Sequence, residues 1–180
     1  MSFTPRMSSA GMSGNAWWYS RGNIYYPTYG LPNCTCYAYG RAAEIMGHFL
    51  HLPGGGGGVW WNQVDETQFV KTQVPALGAV ICSHKRGQTH GHVAIVEQIN
   101  NDGSIITSNS AWQGTYFWTE TLRPENGYCS GWMMRGDYVV QGFIWLTADG
   151  GEIPDTTDTT DTLYYLTHKK RKFIYYLKKL

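Results

Sequence analysis

The sequence predicts an α+β protein in which helices come first and a run of strands follows. A helical periodicity early in the chain gives way, after Pro75, to short β-rich runs separated by turn signals. The composition is that of a folded chain, because 42% of the residues are hydrophobic and 15% aromatic, while only 15% are charged. Helices followed by a meander of strands are typical of an α+β domain.

The clearest predicted helix begins at Cys34 and runs to about residue 49. Asn33 or Thr35 can cap its start, because a short polar side chain accepts a hydrogen bond from an unpaired N–H of the first turn. Side chains that can cover a core recur there at a spacing of about 3.6 residues. They are Tyr37, Ala38, Arg41, Ala42, Ile45, Met46 and Phe49.

Five consecutive glycines, 54–58, end this helical region. Such a run favours neither helix nor strand, so we expect a mobile loop and then a shorter helix over about 59–70. The β-rich runs come next, and the turn signal 100–103 between the second and third predicts a hairpin. Together they predict N-terminal helices packed on an antiparallel sheet. The runs are 77–83, 92–99, 104–110, 115–121 and 138–146.

The domain organisation follows from length and local composition. The 180 residues allow one domain, 1–150, and an appendage. Residues 151–162 repeat a Thr-Thr-Asp unit and are expected to form a linker. The tail 163–180 carries six basic residues and no acid, and is interpreted as a docking segment, the start of a further domain, or a surface-binding helix.

Charge and hydropathy exclude several classes of protein. A formal net charge of +1 gives no overall field for a nucleic-acid backbone. No run of about 18 apolar residues predicts a membrane span, and the N-terminus lacks the apolar core of a secretory signal, so export by another route is expected.

The four cysteines could form two disulfides, but none is assumed. They are Cys34, Cys36, Cys82 and Cys129.

Cys34 is the candidate nucleophile. The N–H groups and the positive dipole end of a helix start favour a thiolate, which is the reactive form. The alternative is that Cys34 and Cys36 are small buried hydrophobic residues.

His92 and Asn109 are the candidate base and orienting group. His92 begins an apolar strand. If the hairpin turns at Asn101-Asp102 or Asp102-Gly103, even-numbered residues of the first strand and odd-numbered residues of the second point to the same side of the sheet. Asn109 would then share a face with His92, while Ser108 and Ser110 would point away. The alternative is a structural histidine without a catalytic partner. The combined set is the arrangement that activates cysteine for acyl transfer.

Four runs in this order resemble the CHAP family of cysteine, histidine-dependent amidohydrolases/peptidases. The resemblance covers about residues 15–146 and implies a papain-like α+β fold. Residue by residue, it assigns Cys34 as nucleophile, His92 as base and Asn109 as third member, where many relatives carry Glu. The runs are GLPNCTCYAYGR at 30–41, LGAVIC at 77–82, GHVAIVE at 91–97 and ITSNSA at 106–111.

The resemblance also implies a function. Members hydrolyse amide or peptide bonds of bacterial peptidoglycan, usually as phage endolysins, virion tail lysins or bacterial autolysins. We therefore expect a phage-encoded peptidoglycan hydrolase, in the host cytoplasm with holin-dependent release or on the virion tail, where the C-terminal tail could bind other tail proteins. The alternative is a non-catalytic phage tail or wall-binding module. The bond cut, the host and the choice between endolysin and tail lysin stay open.

No cofactor or metal is expected. Residues 19–33 contain no acid, whereas calcium needs several oxygen ligands. A zinc site from Cys34, Cys36, His90 and His92 is a weaker alternative. Tyr29 and Trp112 are predicted substrate contacts, because aromatic rings near a cleft can stack on sugars or line a peptide groove. The neighbouring Trp60 and Trp61, like most tryptophans, can equally belong to the core.

Overall fold

The computed structural model describes residues 3–123, Tyr128, 138–147 and two short strands in the tail. Six antiparallel strands form one sheet in the order β1-β6-β2-β3-β4-β5. The helices α1 to α3 precede it, which confirms the α+β class with N-terminal helices packed on an antiparallel sheet. The helices are α1 (Ala16–Tyr19), α2 (Cys34–Met46), a 3-10 helix (Gly57–Val59) and α3 (Trp60–Gln63). The strands are β1 (Val70–Thr72), β2 (Val80–Lys85), β3 (Gly91–Ile99), β4 (Ile105–Asn109), β5 (Trp118–Leu122) and β6 (Tyr138–Trp145).

Helix α2 begins at the predicted residue and ends three residues early. The Asn33 side chain accepts a hydrogen bond from the Cys36 N–H at 2.9 Å, which satisfies one of the unpaired donors of the first turn. At the other end Gly47 takes a left-handed conformation with φ 73° and stops the helix after Met46. The apolar Phe49 therefore packs from the segment after the helix rather than from its last turn.

The helix expected over 59–70 is mostly wrong. Only the 3-10 helix and α3 are helical, and Val70 already opens strand β1, where it pairs with Trp145 of β6. Pairing with the sheet edge decides the conformation of a segment whose own sequence is ambiguous. Helix α1, which sequence periodicity did not indicate, is capped by the Asn15 side chain. The five later β-rich runs all contain strands, with bounds shifted by a few residues.

Both faces of the sheet are apolar. On one face, α2 packs Tyr37 and Ala38 against Val93 and Ile95 of β3. The opposite face carries a second cluster of buried residues from the sheet and its connections. Its members are Ala79, Ile81, Ala94, Val96, Ile105, Leu122, Phe143 and Trp145. Strand β3 is buried on both faces, so its position is fixed from two sides.

The β3–β4 hairpin contains an irregularity that the sequence did not indicate. Near the turn, Ile99 faces Ile105, but beyond Glu97 the register shifts by one, so that Val96 faces Thr107. An extra residue on one strand of an antiparallel pair is a β-bulge. Because of the shift, odd-numbered residues of β4 point to the same side of the sheet as even-numbered residues of β3. This is the arrangement predicted for Asn109 and His92.

A buried ion pair joins α2 to β3. The Arg41 guanidinium donates from Nε to Glu97 Oε1 at 2.9 Å and from Nη2 to Glu97 Oε2 at 2.8 Å. Ser108 of β4 and the Arg6 backbone N–H also donate to this carboxylate, at 2.7 and 2.8 Å. Glu44 receives Arg41 Nη1 at 2.7 Å and also binds the Arg6 guanidinium. Each of the two carboxylate oxygens of the fully buried Glu97 therefore accepts two hydrogen bonds.

The C-terminal part of the chain is described only as two strands, β7 (Thr167–Lys169) and β8 (Lys172–Ile174), which pair antiparallel. The predicted linker 151–162 and the rest of the tail lie outside the described residues, as does Cys129. Within the described residues, no helix is long and apolar enough to cross a bilayer.

The ion pair gives a stability prediction. Arg41→Met should lower the free energy of unfolding by about 3–5 kcal/mol, because it leaves the buried Glu97 carboxylate without its charged partner. Arg41→Met combined with Glu97→Met should lose less than Arg41→Met alone. Urea denaturation followed by circular dichroism measures all of these. The control is Arg123→Ala, which breaks an exposed pair with Asp102 and should cost less than about 1 kcal/mol. Equal losses for Arg41→Met and Arg123→Ala would contradict the role given to the buried pair.

Candidate active site

Cys34 is the first residue of α2 and is partly accessible. The loop before it is fixed at Asn33, whose side-chain oxygen accepts from the Cys36 N–H and from the Thr35 hydroxyl, the latter at 2.7 Å. The Asn33 backbone N–H in turn donates to Ser110 Oγ at 3.1 Å. These bonds attach the start of α2 to the segment that follows β4.

The Cys34 thiol lies against the backbone at the start of β3. Burial raises its pKa, and the N–H groups of Val93, Thr35 and Cys34 itself act in the opposite direction. The helix start does lower the pKa of Cys34, as expected. The expected thiolate does not result, because desolvation raises the pKa by more. Burial also raises the pKa of Cys36 to about 12 and raises that of Cys82. Of the three cysteines described, only Cys34 is partly exposed.

His92 and Asn109 are in contact, as the hairpin argument predicts. His92 Nε2 and Asn109 Oδ1 are 2.9 Å apart, and both residues are buried. Asn109 Nδ2 lies 3.1 Å from the Thr107 carbonyl oxygen and 3.0 Å from Thr107 Oγ1. A carbonyl oxygen only accepts hydrogen bonds, so the amide nitrogen must face Thr107 and the amide oxygen must face His92. His92 Nε2 therefore carries the proton, and Nδ1 is the unprotonated acceptor.

Burial lowers the pKa of His92 from 6.5 to about 4, although the hydrogen bond to Asn109 acts to raise it. The imidazole is thus neutral at neutral pH, as is the Cys34 thiol. In the described part of the chain no hydrogen bond joins the two groups directly. In the resting state both groups are therefore uncharged, and the Cys34 thiol contacts the backbone of Val93, the residue that follows His92.

Trp118 is a site residue that the sequence analysis missed. Its ring stacks on His92 with centroids 5.8 Å apart and an interplanar angle of 23°. Trp118 lies directly opposite Asn109 in the β4–β5 pair. Trp118 lies in the predicted strand run 115–121. To place it beside His92 one needs the register between β4 and β5, which no turn motif in the sequence defines.

The glycine loop, residues 54–58, packs against the backbone of His92 and the residues just before it. A Cβ at Gly58 would overlap the Thr89 carbonyl oxygen and lie 2.9 Å from the Gly91 nitrogen. Gly57 is buried against the backbone of Gly91 and His92. In this half of the run backbone packs on backbone, and only glycine leaves room for it; the mobility expected of the loop stays a prediction.

Tyr25 holds the other half of the glycine loop. Its single O–H is shared between the carbonyl oxygens of Pro53, at 2.7 Å, and Gly55, at 3.0 Å, and its oxygen accepts from Trp60 Nε1 at 3.0 Å. Trp60 is fully buried and belongs to the core. Trp61 is half-buried beneath the Lys71 ammonium, 4.8 Å from its ring centroid. Neither tryptophan is an exposed cleft residue.

The structure brings the two predicted substrate contacts together. Tyr29 and Trp112 have ring centroids 5.4 Å apart at an interplanar angle of 84°. Their side chains are 55% and 51% exposed. They come from the loops that precede Cys34 and follow Asn109, respectively.

Two polar residues close to the predicted catalytic residues, Glu97 and Ser110, have structural roles. Glu97 faces α2 and binds Arg41, so it is not available to orient His92. Ser110 does point away from His92, but its hydroxyl holds the Asn33 backbone, so it is not inert.

The four residues of the zinc alternative do not converge. Cys36 is buried in the helix core, whereas His90 is exposed beside Gln88. Among the described residues no group of three or more His, Cys, Asp or Glu side chains is placed to hold a metal ion.

Comparison with known proteins gives a family match and similar curated proteins. The model of the CHAP domain matches residues 23–111. A probable autolysin of Staphylococcus aureus is 32% identical over 95 residues, which are 53% of this chain and 32% of the relative. An N-acetylmuramoyl-L-alanine amidase of Staphylococcus epidermidis is 31% identical over 97 residues, 51% of this chain and 29% of the relative. This chain therefore spans about a third of the length of the curated relatives it matches.

A solved structure also matches. It is the crystal structure of an N-acetylmuramoyl-L-alanine amidase from Staphylococcus aureus, with a TM-score of 0.43 and 29% sequence identity. The match covers 51% of this chain and 27% of that chain.

The glycine packing predicts a positional effect on the site. Gly58→Ala should disturb the start of β3, because its Cβ would overlap the Thr89 carbonyl. We expect a change in the NMR signals of the His92 imidazole and a lower midpoint in thermal unfolding. Gly54→Ala is the matched control, since nothing lies within 4 Å of its Cβ position. Identical spectra for both variants would show that the glycine loop does not position His92.

The buried imidazole predicts a titration. His92 should protonate near pH 4, well below a free histidine at 6.5, because burial disfavours its charged form. Since the folded pKa is the lower one, the stability that neutral His92 contributes is complete above about pH 6.5 and is lost as the pH falls towards 4. Asn109→Ala should lower the pKa further, because the hydrogen bond it removes favours the imidazolium. NMR titration of the imidazole signals measures both; a pKa near 6.5 would contradict the burial argument.

Proposed function

From the premise that residues 23–111 form a CHAP domain, we propose that this protein hydrolyses bacterial peptidoglycan with Cys34 as nucleophile, His92 as base and Asn109 as the orienting group. The amide orientation at Asn109 is the observation that carries the proposal. It requires His92 to hold its proton on Nε2 and to present an empty Nδ1, which is what a base beside a thiol needs. The named relatives, an autolysin and amidases, support the same substrate class.

The reaction starts from the uncharged pair. As the Cys34 sulfur attacks the carbonyl carbon of the scissile amide, its proton passes to His92 Nδ1, and the Asn109 oxygen steadies the resulting imidazolium through Nε2–H. The carbonyl oxygen becomes an oxyanion, for which the Cys34 backbone N–H at the helix start is a donor. Nδ1 then gives its proton to the leaving amine, so that the C–N bond breaks and a thioester remains.

Water completes the cycle. Nδ1 removes a proton from the water as its oxygen attacks the thioester carbonyl, and the thiolate leaves with that proton returned to sulfur. The products are a free amine and a free carboxylic acid, and no redox step or cofactor is needed. Stacking of Trp118 on the ring restricts its rotation during these proton transfers.

The biological setting is a separate proposal. We propose a phage-encoded lysin, reaching the wall as an endolysin released from the host cytoplasm or as a part of the virion tail that contacts other tail proteins through residues 163–180. Its support is the family resemblance alone, since the relatives named above are staphylococcal proteins. Antibody detection in purified virions against whole-cell lysate would distinguish the two routes.

The test of the enzyme is the clearing of a turbid suspension of purified cell walls. The unaltered chain should clear it, and Cys34→Ala should abolish clearing while still sedimenting with the walls. Iodoacetamide followed by peptide mapping should modify Cys34 before Cys36 or Cys82, because only Cys34 of these three is partly exposed. Wall binding without clearing by the unaltered chain would indicate the non-catalytic wall-binding module instead. Mass spectrometry of the released fragments identifies the bond from its new free amine.

Asn109→Ala tests the orienting group. Turnover should fall by roughly ten- to a thousandfold with the fold retained, because the imidazole loses its tautomeric restraint. Thr119→Ala, an exposed position on the neighbouring strand, is the control and should leave turnover unchanged. Unchanged turnover in Asn109→Ala would remove Asn109 from the mechanism.

A further inference from the structure

Most of the large apolar side chains that are exposed in the described residues come from two segments of the chain, and two of them, Tyr29 and Trp112, are in contact. Within the described residues, five large apolar side chains are exposed, and four of them come from the loop before α2 and the segment after β4. Only Met7 lies elsewhere in the sequence. Soluble domains rarely expose apolar side chains in clusters unless the cluster binds something. The four are Ile24, Tyr26, Tyr29 and Trp112.

The loops that carry Tyr29 and Trp112 also carry the proposed reaction centre. Tyr29 lies five residues before Cys34, and Trp112 lies three residues after Asn109. The bond from the Asn33 N–H to Ser110 Oγ joins the two loops between these positions. The aromatic pair therefore belongs to the region where the start of α2 meets the end of β4.

The aromatic pair is held in place while its rings stay exposed. The Tyr29 N–H donates to the Tyr25 carbonyl at 2.8 Å, in a turn fixed by the buried Tyr25 ring. Around Trp112, the Ala111 N–H donates to the Thr115 carbonyl at 2.9 Å, and the Gly114 N–H to that of Ala111 at 3.0 Å. The edge-to-face packing of Tyr29 on Trp112 adds a further restraint. A binding surface that is ordered in advance loses less entropy when a ligand arrives.

The two segments that carry the pair contain almost no charged residues. Residues 19–33 contain one charged residue, Arg21, and residues 108–118 contain none. The peptide part of peptidoglycan carries carboxylates and amines, and such groups are recognised by opposite charges. The glycan part consists of uncharged N-acetylated sugar rings whose C–H faces pack on aromatic rings. The chemistry of this surface fits the glycan rather than the peptide.

We propose that Tyr29 and Trp112 form a subsite for an N-acetylated hexosamine ring of the glycan strand. This inference rests on the proposed function and specifies its substrate. A sugar ring packed on Trp112 holds the glycan at the mouth of the site, so the amide that reaches Cys34 lies near the glycan rather than far out in the cross-bridge. The subsite contributes to binding and not to the chemical step.

Binding of N-acetylchitotetraose to the intact chain tests the subsite without any cleavage. Isothermal titration calorimetry should detect binding, and the Trp112 indole N–H signal should shift in NMR spectra. Trp112→Ala should raise Kd by about five- to tenfold, the size of one aromatic stacking contact. Trp112→Phe, which keeps a ring, should fall between the two. Met7→Ala removes an exposed apolar side chain away from the patch and should leave Kd unchanged.

A competition experiment distinguishes glycan from peptide. N-acetylchitotetraose should inhibit wall clearing by the unaltered chain and inhibit Trp112→Ala more weakly, whereas inhibition by a free stem peptide should be equal in both. In muropeptide cleavage, Trp112→Ala should raise KM with little change in kcat. The subsite is overturned if the sugar does not bind, if only stem-peptide inhibition responds to Trp112→Ala, or if sedimentation shows that Trp112 mediates self-association instead.

The two proposals fail separately. Wall clearing without sugar binding rejects the subsite and keeps the hydrolase. Sugar binding that depends on Trp112, without clearing by the unaltered chain, rejects the hydrolase and leaves a glycan-binding surface.

Discussion

The bidentate bond between Arg41 and Glu97 is the interaction on which the site depends most. The predicted nucleophile belongs to a helix and the predicted base to a strand, and this pair joins those two elements through buried charges. A desolvated carboxylate is costly unless all its lone pairs are used, so Ser108 and the Arg6 backbone are part of the same requirement. The N-terminal segment is thereby attached to the core, although it precedes the matched family region that begins at residue 23.

Burial also determines the charge state of the site. A helix start and a nearby imidazole would ordinarily favour a thiolate and an imidazolium, but desolvation opposes both charged forms. The neutral pair that results has an unprotonated imidazole over a wide range of pH. In the proposed reaction, charge would separate only once substrate has excluded the remaining water, and the amides at the helix start and Asn109 are already oriented for that step.

Sequence reasoning succeeded where the information is local and failed where it depends on distant partners. The start of α2 follows from Asn33 and Cys34 alone, and its end follows from Gly47, whose left-handed backbone was not anticipated. The prediction that His92 and Asn109 share a face came from the position of the turn. The register next to the turn differs from the one assumed, and the bulge at Glu97 shifts it back to the predicted relation. Trp118 and the packing of Gly58 on Gly91 depend on contacts between separate segments, which neither periodicity nor spacing encodes.

The bulge at Glu97 has a consequence for how this hairpin can change over evolutionary time. A single-residue insertion or deletion at the turn would exchange the two faces of one strand relative to the other, and the bulge provides a second place where such a change can be compensated. Because Arg41 holds the Glu97 carboxylate, the bulge is fixed at this point of the strand rather than free to migrate. Loss of the bulge residue would remove the buried carboxylate together with the bulge, so the hairpin register and the attachment of α2 to β3 are coupled through one residue.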